Sequence, residues 1–330
     1  MDRLSPERLE QILSTAARIR VLVVGDLMLD RYISGSVERM SPEAPVPVVR
    51  VAETTVTVGG AGNVAANVAE LGATCRVVAC IGTDTAGELL EWELARLGVG
   101  TDGLVKTDER PTTEKTRVLA LRQQIVRFDV EDDRDVSGGL ERSLLHRLEQ
   151  LAADSDVLVM QDYNKGVLTP TLISLVLEAG KRLGLPTVVD PKQRNFSSYG
   201  AVTVFKPNAQ ELGDALGDFI HPHDTDWMEA TRARLGCQNL LLTLGEQGMA
   251  LQTAAGTSVK IPTAARGVYD VSGAGDTVTG VVAVVLAAGG TPTEAAILAN
   301  HAAAIEIGKA GVATVSPDEL RAHVAHHLPD

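Results

Sequence analysis

The sequence predicts an α/β protein: a three-layer α/β/α body on a mostly parallel sheet, carrying a small inserted β lid. Three observations predict it. Short continuous apolar runs recur along the chain, as in strands buried on both faces. Amphipathic helical patterns separate these runs, and strands alternating with helices make a parallel sheet covered on both sides. Two stretches break the rhythm by alternating apolar and polar residues, as half-exposed strands of an accessory sheet do.

Ser5, Pro6 and Glu7 open a first helix to about residue 19, with a Ser N-cap, Pro in the first turn and an acid beside it. Arg20-Val-Leu-Val-Val-Gly25 is the first buried strand. Further strands are predicted at 77–81, 157–160, 187–189, 202–205 and 240–244, with helices at 60–71, 87–97, 140–151, 172–183 and 228–235. The last stretch is helical over 273–289, 292–307 and 317–327. The alternating pieces are 46–51, 115–121 and 124–130, so the lid insertions fall roughly at 33–58 and 107–130 of a single domain spanning 1–330. There is no internal repeat.

With 43 acidic and 30 basic residues the chain carries a formal charge of −13, which argues against a general nucleic-acid binder. One phosphate needs only a few local bases and backbone N–H groups, so a small phosphorylated ligand stays open. Aromatic residues make up 3%, too few for a stacking platform. No signal pattern or bilayer-length apolar stretch is present, so a cytoplasmic protein without membrane contact is expected. Cys75, Cys80 and Cys237 lack Cys-x-x-Cys spacing and read as reduced core thiols, the first two on opposite faces of one strand. His326 and His327 read as a solvated tail.

Asp270-Val-Ser-Gly273-Ala274-Gly275-Asp276-Thr277 precedes an apolar helical pattern. Small residues there let backbone N–H groups converge on an anion, with the positive end of the helix dipole behind them. An acid in that turn lies beside the phosphate and acts by taking a proton from an attacking hydroxyl. A tight turn with Asp276 capping the helix explains the same residues. Gly59-Gly60-Ala61-Gly62-Asn63 suits close backbone approach to a ligand, or a turn with Asn63 near an N-cap. It lacks the spacing of the dinucleotide fingerprint. Asp26 and Asp30 stand at and beyond the C-terminal end of the first strand, where ligands of open α/β sheets bind. In Asn208-Ala209-Gln210-Glu211, Asn and Glu at i and i+3 share a face that can hold Mg²⁺ through its waters or close a capping box. Thr243-Leu-Gly245-Glu-Gln-Gly248 ends another strand and suits a nucleotide-facing loop or a hairpin turn.

In this order the motifs closely resemble the ribokinase/PfkB family of ATP-dependent carbohydrate kinases, over almost all 330 residues. Within it, Ser41-Pro-Glu-Ala-Pro-Val-Pro-Val48, Lys115-Thr-Arg-Val118, Asp162-Tyr-Asn-Lys-Gly166, Asp190-Pro-Lys192 and Ala313-Thr-Val-Ser-Pro317 are similar to the D-glycero-β-D-manno-heptose-7-phosphate kinase branch. Two places depart from it. Gly62 stands where the branch has Ala, which predicts a looser start to the helix, and Gln193-Arg194-Asn195 replaces a Gly-containing stretch.

The resemblance implies a ribokinase-like fold and transfer of the ATP γ-phosphate to the anomeric hydroxyl of heptose 7-phosphate, toward ADP-heptose for lipopolysaccharide. It implies Asp276 as base and the Gly273, Ala274 and Gly275 amides as anion hole. Asn208 and Glu211 would organise Mg²⁺, with Ala209 and Gln210 between them. Thr243, Gly245, Gly248 and Asn300 would line the nucleotide, and Asp270 would help site a monovalent cation such as K⁺. Asp30, Gly59, Gly60 and Asn63 would hold sugar hydroxyls, and Lys115, Arg117, Lys165, Lys192 and Arg194 are the candidate phosphate bases. Relatives often carry a fused nucleotidyltransferase. The chain ends at Asp330 without a His-x-Gly-His motif, so the single-function kinase is expected, with a homodimer formed through the lid. The signatures read phosphoryl transfer more than sugar identity, which leaves open another sugar phosphate or a nucleoside as acceptor, and a non-catalytic relative of the fold.

Overall fold

The computed structural model describes residues 4–120, 123–265, 267, 269–309 and 311–326, so Leu121 and His327, the predicted ends of two elements, lie outside the described residues. Helix α1 (Pro6–Ala16) starts where Ser5 caps the Arg8 amide, with Pro6 in the first turn. There follow β1 (Arg20–Gly25), the long hairpin β2 (Leu27–Met40) and β3 (Pro47–Gly60), α2 (Ala61–Glu70), β4 (Thr74–Gly82), α3 (Thr85–Arg96) and β5 (Leu104–Thr107). A second hairpin, β6 (Glu114–Ala120) and β7 (Gln123–Val130), leads to α4 (Gly138–Ala152), β8 (Val157–Gln161), α5 (Pro170–Leu183), β9 (Thr187–Asp190) and β10 (Val204–Phe205). The chain then runs through α6 (Ala209–Leu216), α7 (Thr225–Leu235), β11 (Asn239–Thr243), β12 (Met249–Thr253), β13 (Ser258–Ile261), α8 (Ala274–Ala287), α9 (Pro292–Glu306) and α10 (Pro317–Ala325).

Nine strands form one sheet in the order β13-β12-β11-β10-β9-β8-β1-β4-β5, parallel except for the antiparallel β12 and β13. The alternation of β1 divides the core. Val21 and Val23 join the apolar cluster on one face, while Leu22 and Val24 join the cluster on the other. Cys75 and Cys80 on β4 fall to opposite faces as expected, and burial pushes both thiols up. Among the described residues no helix is long and apolar enough to cross a membrane.

The second sheet, β3-β2-β6-β7, is the lid. It begins at Leu27, earlier than the expected 33, and β5 belongs to the main sheet. β2 was not anticipated, because its polar half (Asp30-Arg-Tyr-Ile-Ser-Gly-Ser) reads as loop. It holds as a strand through thirteen register pairs with β3 and seven with β6. The four-residue edge strands β5 and β13 carry too few residues to show a period, β12 beside β13 was not anticipated either, and the strand expected at 202–205 narrows to Val204–Phe205.

Helix α8 is buried along most of its length and packs between α2 and α9. Gly280 makes the α2 contact possible, since an added Cβ would stand 3.2 Å from the Val64 carbonyl oxygen and 3.3 Å from Asn67 Cβ. Gly62 is tightly packed too, 3.0 Å from Val58 Cβ by the same construction, so the start of α2 is not loosened by the missing methyl. Gly280→Val should destabilise the chain by about 1–3 kcal/mol through overpacking, read as a lower urea midpoint. An unchanged midpoint would contradict the close approach of α2 and α8.

Candidate active site

The chemistry centres on Asp276, in the first turn of α8 and 4% exposed. Its Oδ2 accepts from Asn63 Nδ2 at 2.9 Å, and its Oδ1 accepts from Gln161 Nε2 at 2.9 Å and from the Tyr163 hydroxyl at 2.8 Å. Burial, helped by the Asp190 charge, raises the carboxyl to about 7, with the Asn63 and Tyr163 hydrogen bonds pulling the other way. Burial and the charge of Asp276 hold the Tyr163 phenol well above its ordinary value, so it remains a donor. Asn63 lies inside α2 rather than at its cap, because Gly60 is the N-cap residue. Asn67 Nδ2 bonds the Asn63 carbonyl at 3.0 Å, and the Thr277 hydroxyl bonds Asn67 at 3.2 Å, tying α2 to α8.

The N-terminus of α8 has no side-chain cap, and its N-cap Gly273 has φ +98°. A Cβ at Gly273 would stand 2.8 Å from Asn63 Nδ2, so this turn needs glycine both for its backbone angle and for its neighbours. Ala274 and Gly275 face a cavity of about 850 Å³, leaving first-turn N–H groups directed at it. The same cavity is lined by Asn208, Ala209, Gln210, Glu211, Thr243, Gly245, Gly248 and Asn300, so every predicted nucleotide residue converges there.

Several of these also hold structure. Asn208 and Glu211 form the capping box of α6, with reciprocal bonds of 2.8 and 2.9 Å, and the other Glu211 oxygen bonds Lys192 Nζ. Thr243 to Gly248 is both the tight β11–β12 hairpin and a cavity wall. Gly248 (φ +86°) lies so close to Ile261 that a Cβ would fall 2.1 Å from its carbonyl oxygen. Asn300 donates to the Pro262 carbonyl at 2.9 Å. Lys192 lines the cavity, above the Tyr163 ring. Burial would lower its ammonium, but Asp190 and Glu211 outweigh that and raise it.

On the lid side, Asp30 on β2 bonds Arg117 of β6, whose guanidinium lies over the Tyr32 ring. Gly59 permits this, since a Cβ there would strike Asp30 Oδ2 at 2.3 Å. Gly60 (φ +59°) would meet Met28 Cε at 2.9 Å and Tyr163 Cδ2 at 3.4 Å, so Met28 and Tyr163 converge on it. Lys165 bonds Glu131 at 2.7 Å, and Lys115 Nζ lies 3.1 Å from Met28 Sδ. Arg194 turns away to Asp135 at 3.0 Å. The two acids of the first strand's end part company. Asp26, expected with Asp30 at the ligand, is 1% exposed and accepts the Tyr163, Lys165 and Val167 amides at 2.8–3.0 Å, fixing the loop that carries Tyr163.

Sequence reasoning passed over five residues. Gln161, at the end of β8, bridges Asp276 and Asp190, its Nε2 lying 3.0 Å from Asp190 Oδ2. Lys206 and Asp190 form a buried ion pair at 3.0 Å beside Gly275. Tyr163 and Asp190 stood inside family-like segments, but Gln161 and Lys206 carry no local signal. Glu306 of α9 is a further buried acid. Among the described residues neither of its oxygens has a hydrogen-bond partner, and burial with the nearby Asp270 charge raises it to about 8. A Cβ on Gly273 would lie 3.1 Å from Glu306 Oε1, so this carboxyl backs the turn. Asp270 itself accepts the Ser272 amide at 2.9 Å. The orphaned Glu306 oxygens beside Asp270 suit a cation there. Among the described residues no three metal-ligating side chains cluster, so Mg²⁺ has no all-protein cage and would be carried on phosphates and waters, as it prefers.

An uncapped helix start facing the cavity, with a buried carboxylate bonded by Tyr163, which lines that cavity and approaches the lid hairpin at Gly60, defines an ATP-dependent sugar kinase. Residues 18–319 match the model of the pfkB family carbohydrate kinases, and the chain belongs to that family. It is 46% identical over 324 residues to the "Bifunctional protein HldE" of Citrifermentans bemidjiense, and 44% identical over 326 residues to that of Geotalea uraniireducens. These alignments cover 97% and 98% of this chain but 66% of each relative's length, just under two thirds. In fold it is similar to Escherichia coli phosphofructokinase-2 in complex with potassium, with a TM-score of 0.76, 20% identity, and 93% and 99% of the two chains covered. Arabidopsis thaliana ribokinase complexed with ribose and ATP superposes with a TM-score of 0.72 at 20% identity, covering 93% and 98%. Carboxyl ¹³C titration should give Asp276 a midpoint near 7, moved upward in Tyr163→Phe by loss of a donor to the charged form. A midpoint below 5 would contradict the burial described.

Proposed function

We propose that the chain transfers the γ-phosphoryl group of ATP to the C1 hydroxyl of D-glycero-β-D-manno-heptose 7-phosphate, giving the 1,7-bisphosphate and ADP, a step toward ADP-heptose for lipopolysaccharide core. The observation that carries this reading is the buried Asp276 carboxylate, bonded by Tyr163 on the wall of the nucleotide cavity. The HldE relatives support the choice of sugar.

Asp276 accepts the C1–OH proton as that oxygen forms its bond to the γ-phosphorus, and the bond to the β–γ bridging oxygen breaks to release ADP. A carboxyl near 7 is matched to this task at neutral pH. Asn63, Gln161 and Tyr163 fix its orientation. The Gly273, Ala274 and Gly275 amides stabilise charge on the transferring group, with Lys206 and Lys192 on the cavity side adding positive charge. Asn208 and Glu211 would hold the hydrated Mg²⁺ of the nucleotide, which would supply neutralisation of phosphate charge. Asp270 and Glu306 would hold a monovalent cation behind the hole. Asp30, with Gly59, Gly60 and Asn63, holds sugar hydroxyls, while the lid excludes water that would waste ATP.

The outer lid supports pairing with a second copy. Met40, Val46 and Val51 on the β2–β3 hairpin and Val126, Phe128 and Val130 on β7 are 48–56% exposed, apolar side chains on both edges of the sheet that a partner would cover. Sedimentation should give a dimer that Phe128→Glu shifts to monomer; a monomeric wild type at micromolar concentration contradicts this.

Asp276→Asn should lose at least a thousandfold in kcat with ATP binding retained, and turnover within tenfold of wild type would sink the base assignment. Because the base must be ionised, wild-type kcat/KM should fall about tenfold per unit as pH drops below about 7. Tyr163→Phe should carry that limb to higher pH. In an ATP-consumption panel, heptose 7-phosphate should far exceed ribose, fructose 6-phosphate and adenosine; a better rate with any of these would replace the proposed sugar.

A further inference from the structure

Two buried polar side chains near the base take no part in the chemistry above. Asp162 is 2% exposed and Tyr199 is fully buried. The Tyr199 hydroxyl donates to Asp162 Oδ2 at 2.6 Å, the short distance of a bond to an ionised acceptor, and the Asn164 amide donates to Asp162 Oδ1 at 2.7 Å. Burial, with the Asp26 charge, raises the Asp162 carboxyl to about 6, while the Tyr199 hydroxyl and the Asn164 and Lys192 amides pull it down. Removing any of these donors leaves part of a buried charge unmet, so they hold the acid firmly.

These bonds join two loops. The first, 162–168, carries Tyr163; Asp26 takes its amides at 163, 165 and 167, and Asp162 takes the one at 164. Asn164 stands there at φ +55°, a left-handed conformation that Asn tolerates. The second loop, 192–199, carries Lys192 and turns through a short 3-10 segment, Gln193–Ser198, to Tyr199, whose ring packs edge-on against Phe205. Two further bonds come from Gln193-Arg194-Asn195, where the chain departs from the branch it resembles. The Arg194 amide donates to Asn164 Oδ1 at 3.3 Å, and Asn195 Nδ2 donates to the Leu168 carbonyl at 2.7 Å. The clasped loops meet at one ring. Lys192 Nζ lies 5.2 Å from the centre of Tyr163, whose hydroxyl bonds Asp276 at 2.8 Å.

We propose that Asp162 and Tyr199 are positioning residues for Asp276: by clasping the two loops they set the Tyr163 ring beneath the Lys192 ammonium and aim its hydroxyl at the base. Neither touches the reacting atoms. Because Lys192 lines the nucleotide cavity, the same clasp fixes that wall of the cavity relative to the base. The effect on turnover rests on Asp276 acting as the base, whereas the effect on its carboxyl rests on the clasp alone.

The test is Tyr199→Phe, which removes one hydroxyl and keeps the ring against Phe205. Loosening Tyr163 costs the ionised Asp276 a donor, so its carboxyl ¹³C midpoint should rise, by less than in Tyr163→Phe. Neutralising Asp162 alone would lower that midpoint by removing a negative charge, so the sign separates positioning from direct electrostatics. In the Tyr163→Phe background Tyr199→Phe should add no further shift, because the route is already cut. With ATP and heptose 7-phosphate, kcat at pH 7 should fall about tenfold while KM for the sugar stays within about threefold. Asn195→Ala opens the other end of the clasp and should raise the midpoint in the same way; it decides the matter should Tyr199→Phe not fold. An unmoved or lowered midpoint in the variant that folds, or an equal further shift in the Tyr163→Phe background, overturns the clasp. A raised midpoint with unchanged turnover upholds the clasp and removes Asp276 as the base.

Discussion

Burying the Asp276 carboxylate at the start of α8 constrains most of the surrounding structure. An ionised acid that is 4% exposed needs partners, and here they come from three separate places: Asn63 in α2, Gln161 at the end of β8, and Tyr163 in the loop after it. Each then needs its own support. Asn67 and Thr277 lock Asn63 between two helices that meet closely only because residue 280 is glycine. Asp26 holds the Tyr163 loop by three backbone amides. Gln161 is anchored at its other side by Asp190, itself neutralised by Lys206. The result is a proton acceptor whose affinity is poised by burial and whose direction is fixed by packing.

Around that point the site divides. Toward the cavity lie the free amides of α8, the capping box of Asn208 and Glu211, and the lysines at 192 and 206. Toward the lid lie Asp30, the glycines at 59 and 60, and Lys115. An overall charge of −13 is compatible with two phosphorylated ligands because the bases at the site are few and mostly matched one to one with acids.

The sequence makes the αβ rhythm legible because the main-sheet strands are buried on both faces and the helices carry clear caps. Ser5 accepts the expected backbone bond, and Thr169, Thr291 and Ser316, which the sequence reading did not single out, cap their helices in the same way. The lid was only half legible, since β2 presents polar residues to a ligand face and so does not alternate cleanly. At the site, turn chemistry pointed to Gly273–Asp276 and Asn208–Glu211, whose residue types are dictated locally. Gln161, Lys206 and Glu306 were invisible because their roles depend on partners 29, 16 or more positions away, joined only by sheet order. Asp26 misled for the same reason: a carboxylate at a strand end reads the same whether it faces ligand or holds a loop.

The most direct test of the central claim is the structure of the product. ³¹P and ¹H NMR of the wild-type reaction with ATP and heptose 7-phosphate should show a second phosphorus coupled to the anomeric proton, formed in equal amount with ADP. A phosphorus coupled to any other sugar proton, or ADP released with free phosphate and unchanged sugar, would contradict the account.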